Sequence, residues 1–253
     1  MFEVIVLSVL QGVAEFLPIS SSGHLVIGQH LLGVNAPGLR LDLCLHFGTL
    51  LSIFAFYRKV IGRIIVNCEW AYVLKIVVSA LPAIAVYVGF KGFVDGMFEN
   101  ARMVGALLMF TGAVLIGTRF MPRGTREVGF GRALLMGLGQ ALALLPGVSR
   151  SGMTLASARA GKVDPEKSAE FSFLMSAPLI LGGMLLEVAK ELRGAGCPSG
   201  DALGWGELAV GAAVAAAVGY FSLALLVKAL KGKWFWIFGP YCLTAGLLTI
   251  LLI

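Results

Sequence analysis

Six long apolar stretches set the terms for this chain: Leu41 to Tyr57, Tyr72 to Phe90, Met103 to Thr118, Ala169 to Val188, Leu208 to Val227 and Phe235 to Ile253. Each approaches the ~20 apolar residues that carry a helix across a bilayer. In hydrocarbon every backbone N–H and C=O must find its partner within the chain, which at these lengths leaves the α-helix. Composition agrees: with 58% hydrophobic and 13% charged residues there is too little polar surface for a water-facing exterior. The expected fold is an all-α integral membrane protein with six transmembrane helices.

The N-terminal apolar stretch, Phe2 to Ile19, is of another kind. It opens with Glu3 and has neither a basic leader nor a small-residue cleavage site, so it is expected to stay in the mature protein rather than serve as a signal peptide. Gln11, Glu15 and Pro18 interrupt it and a serine run follows at once, which predicts a re-entrant helical hairpin. Sliding the sequence along itself lays Gln11, Ala14, Ser20, Ser22 and Gly23 over Gln140, Ala143, Ser149, Ser151 and Gly152, and each copy has a proline just before its serines. Each half is then one broken segment followed by three spans, and an odd number of spans turns the second half over. The chain reads as a single membrane domain over 1–253, an inverted-topology repeat with repeat 1 at about 1–120 and repeat 2 at about 130–253. Its two re-entrant hairpins enter from opposite sides, and their tips meet near the midplane.

A formal net charge of +6 raises the question of nucleic acid, but the basic residues sit in short loops after the spans. Arg58, Lys59 and Arg63 follow the first, Arg119, Arg123, Arg126 and Arg132 the third, and Lys228, Lys231 and Lys233 the fifth. By the positive-inside rule these loops are cytoplasmic, and the mixed-sign loops and both termini face outward. No nucleic-acid partner is expected. Cys44, Cys68, Cys197 and Cys242 are scattered without a C-x-x-C pair, and read as packing residues.

Two motifs concentrate the polar chemistry. In the first, from Gln11 to His24, Gln11 and Glu15 are four apart on one helical face, Pro18 stops the helix, and Ser20, Ser21 and Ser22 cap the next. A helix N-terminus of that kind offers free N–H groups and a positive dipole end to a phosphate. The second, Pro146 to Thr154, repeats the break and the cap with Ser149 and Ser151, and adds Arg150 and, four residues on, Thr154. A guanidinium flanked by apolar segments costs several kcal/mol unless paired, so Arg150 is expected to meet Glu15, a bound phosphate, or both. Plainer readings stand beside these: a structural Glu15–Arg150 ion pair, serines that only cap, and a Gln11 that bonds a neighbouring helix. His46 either lines the same cavity or is a core histidine bonded to a carbonyl.

With these residues in view, the sequence resembles the undecaprenyl-diphosphate phosphatases, the bacitracin-resistance family of bacterial inner-membrane proteins. The likeness runs over essentially the whole chain and is carried by Gln11-x-x-x-Glu15-Phe-Leu-Pro-Ile-Ser-Ser-Ser-Gly-His24, Pro146-Gly-Val-Ser-Arg-Ser-Gly-Met-Thr154 and Glu170-Phe-Ser-Phe-Leu. The resemblance implies hydrolysis of a C55 polyprenyl diphosphate to the monophosphate, returning the carrier to cell-wall synthesis. It further implies a multi-pass inner-membrane protein whose site opens to the periplasm. On this reading Ser21 attacks the terminal phosphoryl group, Glu15 activates it or holds a metal, and His24 relays a proton. Arg150 offsets phosphoryl charge, while Ser20, Ser22, Ser149, Ser151 and Thr154 bind the substrate. A direct attack by water is the rival mechanism. A divalent cation, Mg2+ or Ca2+, is implied, with Glu15 and Gln11 as ligands. Many members carry glutamate where this chain has Gln11, and the missing charge would weaken the metal's hold. The partners expected are the polyprenyl diphosphate and membrane lipid, with a homodimer left open.

Two other readings compete with this one. Phosphatases with S-G-H and S-R motifs need a later histidine nucleophile, but His24, His30 and His46 all precede Arg150. A polyprenyl-phosphate transporter or flippase would use the same inverted-repeat cavity, yet needs no nucleophile.

Overall fold

The computed structural model describes residues 1–32, 39–97, 100–192, 204–232 and 234–252. Among them the chain is helical, and no strand forms beyond one isolated bridge between Arg126 and Val163. In chain order the helices are α1 (Phe2–Phe16), α2 (Ser21–Leu32), α3 (Leu39–Phe56), α4 (Arg58–Val66), α5 (Trp70–Met97) and α6 (Ala101–Gly117). After a 3-10 turn at Thr118–Phe120 follow α7 (Phe130–Leu142), α8 (Arg150–Ala160), α9 (Pro165–Leu192), α10 (Trp205–Lys231) and, past a second 3-10 turn at Phe235–Ile237, α11 (Phe238–Leu252).

Local chemistry sets these boundaries. Pro18 cannot continue α1, and Leu17 before it is already extended at φ −67° and ψ 146°. Asn100 caps α6 by accepting from Met103 N–H, and Ser149 caps α8 by accepting from Gly152 N–H. Asp164 opens α9 by accepting from the N–H groups of Glu166 and Lys167, with Pro165 in the first turn.

Five stretches are long and apolar enough to cross a membrane: Trp70–Phe90, Ala101–Phe120, Pro165–Leu186, Trp205–Lys231 and Phe235–Leu252. The sixth expected span is present as α3, but its apolar part, Leu41–Phe56, falls below that length. This helix is held by protein: Leu45, Leu50, Ser52 and Ile53 are buried, and a Cβ on Gly48 would collide with the Ala212 carbonyl of α10. A second difference lies in the basic stretch after α3, expected as a loop. It is the short helix α4, none of whose residues is buried. The apolar faces of the long helices point outward, as Val77, Leu81, Ile84 and Val88 of α5 do, which is the surface that lipid solvates.

Element order repeats across the halves. A pair of short helices, α1–α2 or α7–α8, precedes three apolar ones, α3, α5 and α6 in the first half, with α4 between, and α9, α10 and α11 in the second; none of the four paired helices reaches ~20 residues. The halves interlock: α1 lies against α10, α7 against α5, and α6 against α11. Small residues permit these approaches, for a Cβ on Gly112 would stand 2.7 Å from the Gly239 carbonyl. The buried core surrounds the first break, where Phe16 meets Phe173 edge to face at 5.5 Å and Leu17, Ile19, Leu108, Leu155 and Leu223 close in. Cys44, Cys68 and Cys242 are free thiols. Cys242 is buried as a packing residue, Cys68 is exposed instead, and Cys197 lies outside the described residues.

Candidate active site

The two helix breaks touch. Ser20 adopts φ 69° and Gly147 φ 92°, both in the left-handed region, and a side chain on Gly147 would strike the Val104 carbonyl. Side chains from several helices bind the strained turns. Ser151 Oγ donates to the Leu17 carbonyl at 3.2 Å, and Thr111 Oγ1 donates to the Gly147 carbonyl while accepting from Ser149 N–H, both at 3.1 Å. Among the described residues the N–H groups of Arg150 and Ser151 have no partner, so the first turn of α8 opens at the break as an anion-favouring end.

Glu15 is the hub. Its Oε2 accepts from Ser21 Oγ at 2.7 Å and from Gln11 Nε2 at 3.0 Å, its Oε1 is paired with Arg150, and His46 Nε2 stands 3.9 Å from Oε2. The carboxylate is buried, and its charge is offset by one guanidinium and the hydrogen bonds around it. Glu15, Ser21, Arg150 and His46 face a cavity of about 440 Å3 whose polar lining also includes Ser20, Ser22, Asp42, Gln140 and Ser149. Leu179, Ile180 and Met184 of α9 form an apolar wall. A nucleophilic hydroxyl on a carboxylate, an arginine, and a greasy wall beside them suit phosphoryl transfer from a lipid.

Three expected site residues are placed elsewhere. His24 turns away: its Nδ1 lies 2.9 Å from the Ser20 carbonyl and its Nε2 2.8 Å from Tyr241 Oη, with the two rings stacked. Both nitrogens are occupied, so His24 braces the strained Ser20 and is not set to pass a proton to Ser21. Thr154 is buried, bonding Ser172 Oγ at 2.6 Å and so tying α8 to α9. Ser151 ties the breaks together. Gln11 stays in the site, bonded to Glu15 at 3.0 Å, but is buried and does not line the cavity. Four residues past Arg150, Thr154 Oγ1 also bonds the Arg150 carbonyl at 2.8 Å, so its hydroxyl is engaged within the protein.

Two residues gain weight. His46 bonds the Asp42 carbonyl through Nδ1 at 2.9 Å, which makes Nδ1 the donor and leaves Nε2 toward Glu15 and the cavity. Gln140 lines the cavity at 3% exposure, yet neither its Nε2 nor its Oε1 has a partner. An orphaned amide in such a place costs about 1–3 kcal/mol and fits a group awaiting a ligand. The signal was available in the repeat, where Gln140 overlies Gln11.

The sequence pattern described as bacitracin resistance protein BacA matches residues 4–248. The chain belongs to this family. Among BacA-type relatives it is similar to the undecaprenyl-diphosphatase of Desulforapulum autotrophicum, at 35% identity covering 99% of this chain and 98% of that one. It is likewise similar to the undecaprenyl-diphosphatases of Halothermothrix orenii, at 35% identity over 99% and 97%, and of Desulfosudis oleivorans, at 37% over 97% and 96%. Among the described residues of this BacA-family chain no three His, Cys, Asp or Glu side chains gather to cage a metal. What fits a cation is narrower: the Glu15 carboxylate, with Gln11 Oε1 beside it buried and unpartnered. That is too little for a resident ion and suits a hard cation held mainly by substrate phosphates.

Proposed function

We propose that this protein hydrolyses undecaprenyl diphosphate to undecaprenyl phosphate and inorganic phosphate, recycling the lipid carrier for cell-wall synthesis. The observation that carries the reading is the Ser21 hydroxyl on the Glu15 carboxylate, itself paired with Arg150 across the two breaks at the cavity wall. Ser21 Oγ attacks the terminal phosphorus and its proton passes to Glu15. The bond to the bridging oxygen breaks, and undecaprenyl phosphate leaves. Water then attacks the phosphoserine and releases phosphate, restoring the Ser21 hydroxyl. Arg150, the Ser149 and Ser22 hydroxyls and Gln140 hold the phosphoryl oxygens as charge moves onto them. His46 Nε2 stands beside Glu15 to share its proton.

A divalent cation, Mg2+ or Ca2+, is proposed to enter with the diphosphate, with Glu15 and Gln11 as its protein oxygens; when bound it neutralises phosphoryl charge. The polyprenyl tail lies along Leu179, Ile180 and Met184 and out into lipid. We place the protein in the bacterial inner membrane with the cavity opening to the periplasm, because the arginine-rich loop after α6 lies toward the start of α9 and the cavity-lining residues 179–184 lie toward its end. The short helix pairs are then re-entrant. The transport reading draws no support from the relatives above.

Phosphate release from detergent-solubilised undecaprenyl diphosphate, with and without chelator, tests this function. Release that the chelator suppresses and Mg2+ or Ca2+ restores is expected; none from folded protein under any cation would refute it. Gln140→Leu carries a sharper signature. Removing an orphaned buried amide raises the thermal midpoint, while losing its bonds to phosphate lowers kcat/KM roughly tenfold or more. A lower midpoint with unchanged kinetics would assign Gln140 to the scaffold.

A further inference from the structure

We infer that the end of the bundle opposite the catalytic cavity carries a headgroup site for an anionic phospholipid. Arg119, in the 3-10 turn after α6, lays its guanidinium over the Trp236 ring at 4.6 Å from the centroid. Arg159, in the last turn of α8, donates through Nε and Nη2 to the Met121 carbonyl at 3.3 and 3.0 Å. With Thr118, Phe235 and Trp236 these arginines line a cavity of about 220 Å3, and a smaller hollow sharing Arg159 and Phe235 adds Arg123. No acidic side chain lines either space, and among the described residues none of the three arginines has a carboxylate partner. Of the other basic residues, Lys231 is paired with Glu166, and Arg63 with Glu69 and Glu170.

Position identifies the ligand. Arg159 stands nine residues beyond Arg150 on one helix, about 14 Å at ~1.5 Å per residue. That is close to half the ~30 Å hydrocarbon thickness, so a catalytic break near mid-membrane puts Arg159 at headgroup level. Phe120 is 80% exposed there, and Trp236 against Arg119 marks an interfacial position. A basic pocket between helices at that depth suits a lipid phosphate, whose oxygens match the guanidinium fork. Topology alone asks only for positive loops. It does not ask that the arginines share a cavity, stack on an indole and be anchored to a carbonyl.

The test is native mass spectrometry of the intact protein in neutral detergent, titrated with phosphatidylglycerol or with phosphatidylcholine of the same acyl chains. Phosphatidylglycerol is expected to bind with about a tenfold preference, reduced to near unity in R119Q/R159Q and largely kept in Arg159→Lys. Arg119→Gln, at an exposed residue, gives a partial loss without disturbing the fold, and thermal midpoints monitor the double variant. Millimolar inorganic phosphate is added in a separate arm. If it displaces the lipid, the site takes a free anion and the lipid assignment is overturned. Equal binding of the two lipids, or a preference undiminished in the double variant, overturns the site itself.

Discussion

Replacing Arg150 with alanine is expected to lower kcat/KM for undecaprenyl diphosphate about a thousandfold, the scale at which a guanidinium stabilises phosphoryl charge in a water-poor site. The structure adds a second effect. The Glu15 side chain is 3% exposed and that of Arg150 22%, so deleting the arginine strands a carboxylate in the interior while deleting the carboxylate leaves a guanidinium facing the cavity. Arg150→Ala is therefore expected to lower the thermal midpoint as well, by the equivalent of about 3–5 kcal/mol for a broken buried pair. Arg150→Lys keeps the charge without the two-pronged geometry, and recovers much of the stability and little of the rate. Steady-state phosphate release and thermal melts in detergent separate the two effects. A variant with lost activity but an unchanged melting curve would contradict the pairing.

Glu15→Gln is the second large effect, and it should look different. The amide still accepts the Ser21 hydroxyl but no longer takes its proton, so kcat falls by about 10²–10⁴. With Glu15 neutral, Arg150 is released to the substrate, and KM is expected to hold or fall. Because the carboxylate serves Ser21, Gln11 and Arg150 together, the double variant with Arg150→Ala should lose far less than the product of the single losses. Multiplying losses would mean that the two residues act independently.

What the sequence made legible was the chemistry carried by local pattern. The helix stop at Pro18, the Ser149 cap, the Asp164 cap and five of the six apolar spans follow from residues within a few positions of one another, and they stand in the structure as expected. The Arg150–Glu15 pair was also legible, since a buried guanidinium has few partners to choose from. Less visible was anything decided by a distant side chain. His24 belongs to the first motif, but its orientation is set by Tyr241 of α11, 217 positions away. Thr154 is claimed by Ser172. His46 takes a part of each reading: one ring nitrogen bonds a carbonyl, but the side chain is 36% exposed and lines the cavity rather than the core. Gln140 is marked in the sequence only by its repeat match to Gln11, and the lack of partners that gives it weight is visible only in the structure.

The measurement that bears most directly on the central claim is phosphate release by Ser21→Ala, purified and shown to be folded, on undecaprenyl diphosphate with Mg2+ present. If the Ser21 hydroxyl attacks phosphorus, release falls to the level of the protein-free control while the intact protein turns over. Full turnover without that hydroxyl would contradict the covalent route and leave water as the attacking group.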